Sequence, residues 1–167
     1  DGFAGPSEVL VIADETARPI FVAADLLAQA EHAPGQAVLV TPSGALIEQV
    51  EGALEAHLAS LTTAAESRKC LGEYAAAVRV RDLDEAAAFA DSYAPEHLQI
   101  ETAEPRQLAE RIRSAGAVFL GHWTPESFGD YVAGPSHVLP TGGTARFWSG
   151  VSSLSFLRRT SIIECTP

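Results

Sequence analysis

Short apolar runs alternate with helical periodicities along most of the chain. Val9-Leu10-Val11-Ile12-Ala13 is bounded by polar residues, the pattern of a strand buried on both faces. Pro19 suits the first turn of a helix that the pattern carries to about His32, before Pro34-Gly35 breaks it. Ala37-Val38-Leu39-Val40 reads as a second buried strand. Ser43 can cap the next helix, in which Leu46, Ile47, Val50, Leu54 and Leu58 recur at helical spacing. Ala64 to Tyr74 reads as a further helix and Ala77-Val78-Arg79-Val80 as a strand. A helix from Asp82 runs towards Pro95, which stops it, and Leu98-Gln99-Ile100 resumes as strand. Glu104 to Ser114 is amphipathic, and Ala117-Val118-Phe119-Leu120 is another apolar strand.

Strands separated by helices in this alternation predict an α/β fold, a mostly parallel sheet with helices on both faces. After Gly121 the texture changes. Residues 121–150 are rich in Gly, Pro, Trp and Ser and carry little periodicity. A loop that long inside a compact domain is usually functional. In open α/β sheets ligands sit beyond the carboxyl ends of the strands, where this segment would begin. The chain is expected to divide into an α/β body over 1–145 and, over 146–167, the start of a C-terminal helical extension.

Composition narrows the classes. A chain of 167 residues, 47% apolar, suits one domain with a proper core. Its net charge is −11, with Lys and Arg scattered, which argues against a nucleic-acid surface or a polybasic membrane contact. No apolar run approaches membrane-span length, and no signal peptide is visible. Cys70 and Cys165 do not suggest a disulfide framework, so a reducing cytoplasm is the expected compartment. The chain contains no Met and hence no initiator, which suggests a processed or excised piece.

Three stretches can carry chemistry. In Ala94-Pro95-Glu96-His97-Leu98, a carboxylate and an imidazole fall on the connection between a helix and a strand. Such a pair can take a proton from a hydroxyl or a water near neutral pH, although an isolated Glu-His is more often a solvated loop. Gln29 and His32 are three apart at the end of the first helix, so both project on one face. An imidazole and an amide oxygen suit a borderline metal such as zinc, while a His at a helix C-terminus also suits the macrodipole. In Pro125-Glu126-Ser127-Phe128-Gly129-Asp130-Tyr131, followed by Gly134-Pro135-Ser136-His137, Asp130 is a hard oxygen donor and His137 a further imidazole. Asp130 equally suits a turn. His57 reads as a surface residue. Neither a Gly-x-Gly-x-x-Gly fingerprint nor a phosphate-cradling Lys motif occurs, so cofactor-binding residues stay unassigned.

Taken together, Ala4 to Asp14, Gln29-Ala30-Glu31-His32, Ala94 to Leu98 and the run from Pro125 to Thr141 resemble histidinol dehydrogenase in order and spacing. The resemblance implies an incomplete Rossmann-like sheet, with 1–145 as its substrate- and zinc-side domain. It implies zinc-dependent, NAD-linked oxidation of L-histidinol through L-histidinaldehyde to L-histidine, the last step of histidine biosynthesis. By motif, Gln29, His32 and Asp130 match the family's zinc ligands and are expected to converge on one point. Glu96 and His97 match its catalytic pair, with His97 as principal base and Glu96 activating the water of the second oxidation. Ser7 matches a substrate-contacting position. Substrate contact is likewise implied for Gln29, His32, His97 and Asp130, with a supporting role for His137.

The family's proteins are longer. The part carrying most of the NAD-binding domain has no counterpart here, nor has the C-terminal segment whose His supplies the fourth zinc ligand from the partner of a homodimer. This chain alone is therefore not expected to turn over. Two alternatives compete: a binding module with the same fold and no redox chemistry, and a zinc hydrolase using Glu96 with a metal-bound water.

Overall fold

A computed structural model of the chain describes residues 5–32 and 34–167. The Gly-punctuated stretch at 1–4, with Ala4 of the first motif, lies outside the described residues. Strands β1 (Ser7–Ala13), β2 (Gly35–Thr41), β3 (Ala75–Arg79), β4 (His97–Glu101) and β5 (Ala117–Leu120) form one five-stranded sheet in the order β3-β2-β1-β4-β5. Every adjacent pair is parallel. The α/β class is thus borne out, and the strand order reverses between β1 and β4 as in doubly wound sheets.

The core explains why β1 is central. Val9, Val11 and Ala13 point to one face, where they meet Val22 and Leu26 of α1 (Pro19–Ala30) and Leu46 and Val50 of α2 (Gly44–Leu58). Leu10 and Ile12 point to the other, against Ala86 and Ala90 of α4 (Leu83–Tyr93), Leu98 and Ile100. Period-2 alternation thus feeds two separate cores, so an unbroken apolar run is needed. α3 (Ala64–Tyr74) runs straight into β3.

Three boundaries differ from the pattern's expectation. β3 begins at Ala75, because pairing Ala37 with Ala75 through Thr41 with Arg79 extends the strand at its start. The helix expected over Glu104 to Ser114 is only α5 (Pro105–Ala109). Beyond Ala109 the backbone tightens, Arg111 N–H to Leu108 O and Ile112 N–H to Ala109 O, both at 3.1 Å, and Asp91 Oδ1 then accepts the N–H groups of Arg113 and Ser114 at 2.7 and 3.0 Å. Over 146–167 the described residues hold one 3₁₀ turn, Ser153–Phe156, boxed by Ser152 and Ser155, and no α-helix. This stretch is mostly exposed, so no apolar face is buried to stabilise a helix.

The 121–150 segment leaves the carboxyl end of β5 and contains α6 (Phe128–Tyr131) and the 3₁₀ turn Thr144–Arg146. It then returns to the opposite edge. Gly5 donates its N–H to Thr141 Oγ1 at 2.6 Å, and Gly142 donates to Glu8 Oε1 at 2.6 Å.

Candidate active site

The register sets the site's location. Ser7 pairs with Gly35, and Val9 with His97, so Ser7, Gly35 and the Glu96-His97 corner share the amino-terminal edge of the sheet. The sequence pattern pointed to the carboxyl ends. The returning loop is what brings the candidate residues to the other edge.

The corner is built by the end of α4. Ala94 closes that helix in the left-handed region at φ 55°, fully buried, and its N–H reaches Ala90 O at 2.7 Å. Pro95 prevents continuation. The next two carbonyls are then held by the start of β5: Gly116 N–H donates to Pro95 O at 2.9 Å and Ala117 N–H to Glu96 O at 2.8 Å. Both side chains of the pair are buried, at 7% and 5% exposure, so the solvated-loop reading does not apply.

Glu96 is fixed through one oxygen. Its Oε2 accepts the Ser7 hydroxyl at 2.6 Å and the Glu8 N–H at 3.0 Å, and lies 3.5 Å from His97 Nδ1. His97 Nδ1 lies 3.2 Å from Glu8 O. A carbonyl only accepts, so Nδ1 carries the proton and Nε2 is the basic nitrogen of the neutral ring. The ring packs near Phe119, with centroids 6.1 Å apart.

The metal candidates gather unevenly. α1 ends at Ala30, so Gln29 is helical and His32 lies beyond the helix, brought round by a turn in which its N–H donates to Gln29 O at 3.2 Å. Gln29 is 1% exposed, with Oε1 3.5 Å from Ser7 Oγ and, among the described residues, no hydrogen-bond partner for Nε2. His32 and Asp130 are exposed, Asp130 on the single turn of α6. Ser7, His32, Glu96, His97, Asp130 and His137 line one open cleft of about 390 Å³. Gln29 stands behind it, reached through Ser7. Among the described residues no three His, Cys, Asp or Glu side chains group as a metal cage. The expected set has only two such side chains and an amide.

Two residues here were not singled out by the sequence. Glu8 ties three segments, through its N–H, its carbonyl and its buried carboxylate on Gly142. Burial pushes that carboxylate up, against the lowering effect of Gly142 N–H. Glu126 also lines the cleft, 5% exposed, with Oε1 3.6 Å from His97 Nε2. Burial, then the charges of Asp130, Asp25 and Glu96, push its carboxyl up to about 7. Asp25, raised to about 6 by burial, accepts the Glu126 backbone N–H. Glu126 stood inside a quoted motif, but a lone Glu in a loop gives no signal of what it will face.

A family model for histidinol dehydrogenase matches residues 1–167. The histidinol dehydrogenase of Rhodopirellula baltica is 55% identical over 98% of this chain and 36% of its own length. That of Nitrobacter winogradskyi is 56% identical over 100% of this chain and 39% of its own. The crystal structure of histidinol dehydrogenase from Elizabethkingia anophelis aligns with a TM-score of 0.86 at 45% identity, over 89% of this chain and 34% of that one. The chain thus spans 36% and 39% of the length of these two curated relatives.

Proposed function

The chain belongs to the histidinol dehydrogenase family, and on that premise we propose that its whole protein oxidises L-histidinol through L-histidinaldehyde to L-histidine, reducing two NAD with one zinc ion bound. The observation that carries this reading is the shared cleft: Ser7, His32, Glu96, His97, Asp130 and His137 converge there from four separate parts of the sequence.

The donors fit zinc in kind. His32 offers an imidazole, Asp130 a carboxylate, and Gln29 the oxygen of a buried amide. These three would hold the ion, with a fourth ligand coming from outside this chain. When bound, the metal supplies a Lewis acid that polarises the substrate oxygen, and NAD supplies the hydride acceptor.

The chain's own residues do the proton work. His97 Nε2 takes the alcohol proton in the first oxidation, and a proton from oxygen again in the second. Glu96 activates the water that adds to the aldehyde. Its two recorded hydrogen bonds fall on Oε2, which leaves Oε1 for that water. Ser7 orients Glu96 and stands between it and Gln29. Gln29, His32, His97 and Asp130 place the substrate, with His137 supporting from the loop. Residues 1–145 form the substrate and zinc side, and 146–167 lead towards the rest of a cytoplasmic homodimer.

A single-turnover assay of each half-reaction in the full-length protein tests this. His97→Asn should slow both by about 10²–10⁴-fold. Glu96→Gln should slow histidinaldehyde oxidation far more than histidinol oxidation. Equal losses in both halves would show that the carboxylate orients His97 instead.

A further inference from the structure

We propose that Glu126 is a positioning residue for His97, holding the ring's orientation and balancing the positive charge it acquires on taking a proton. The inference rests on the reading of His97 as base. With Nδ1 committed to Glu8 O at 3.2 Å, the ring can turn only by breaking that bond, and Nε2 faces Glu126 Oε1 at 3.6 Å. This separation exceeds a hydrogen bond but suits a charge pair, and catalytic contacts of this kind tighten once substrate is bound.

Glu126 is itself held in place. Its backbone N–H is accepted by the buried carboxylate of Asp25 on α1, and its carbonyl accepts Gly129 N–H at 3.0 Å. No hydrogen bond from a described residue reaches its carboxylate, so the imidazole is the group it pairs with. Glu8 O thus fixes the ring at Nδ1, and Glu126 stands opposite Nε2, where it pairs with the ring once that nitrogen has taken a proton. The charges of Asp130, Asp25 and Glu96 bear on Glu126, and an imidazolium formed at His97 lessens that repulsion. One short loop delivers both Glu126 and Asp130, which places the base and a metal candidate in fixed relation.

The test is a double-mutant cycle in the full-length protein, using Glu126→Gln, Glu126→Asp, His97→Asn and the pair His97→Asn with Glu126→Gln. Glu126→Gln should lower kcat in both half-reactions by about 10- to 100-fold. Histidinol affinity by calorimetry without NAD, and zinc content, should stay unchanged. Glu126→Asp should recover part of the rate. In the His97→Asn background, Glu126→Gln should cost nothing further, because it acts through that ring. A full-rate Glu126→Gln, a loss that multiplies with His97→Asn, or a loss confined to zinc content would overturn the inference. A silent His97→Asn would instead sink the underlying assignment of the base.

Discussion

Glu101 shows how far one residue can depart from its sequence neighbours. It closes β4, fully buried, with neither carboxylate oxygen hydrogen-bonded to a described residue and His122 Nδ1 3.5 Å away. Burial first, and the Asp25 charge second, raise its carboxyl from 4.5 to about 8. A raised folded-state value means that its contribution is fully present in acid and is lost as pH climbs from about 4.5 through 8. Glu101→Gln should therefore raise the thermal midpoint at pH 9, by about 1–3 kcal/mol in stability, and change little at pH 5. A lower midpoint at pH 9 would contradict this. At the same scale, Glu96 and His97 stood out as candidates because an adjacent carboxylate and imidazole can move a proton, and their burial at the corner follows from the structure. Glu8 and Glu126 did not stand out, because their roles arise from contacts with residues remote in sequence.

At the scale of elements, the α4–β4 corner is the part on which the site depends. A Cβ on Gly116 would meet Glu96 O at 2.6 Å and Pro140 Cδ at 3.1 Å, so backbone passes where a side chain would stand. Gly116→Ala should cost about 1–3 kcal/mol by overpacking. It should also loosen the Ala117 N–H bond that holds the Glu96 carbonyl. A denaturant midpoint unchanged from native would show that the corner relaxes freely. Strands buried on both faces were read well from sequence, since nothing but an apolar run serves there. The short α5 was not, because its last turn tightens to i→i+3 bonds and the following chain is tied to Asp91 of another helix. Nor was the turn that separates His32 from the face of Gln29.

Across the whole molecule, alternating strands and helices carried the fold class, and the resemblance carried the choice of residues. The edge at which the site forms was not legible. The 121–150 loop starts at the carboxyl ends and reaches the amino ends only through contacts such as Gly142 to Glu8. The acidic balance of −11 fits a cleft in which the carboxylates of Glu96, Glu126 and Asp130 stand among the imidazoles of His32, His97 and His137, with His32 and Asp130 proposed above to hold zinc. Zinc content of the full-length protein, measured by atomic spectroscopy for His32→Ala and Asp130→Asn, tests that account most directly. Each variant should keep the native circular dichroism and bind zinc about 10- to 100-fold more weakly, losing histidinol oxidation with it. Full zinc in both variants would contradict the assignment of this cleft.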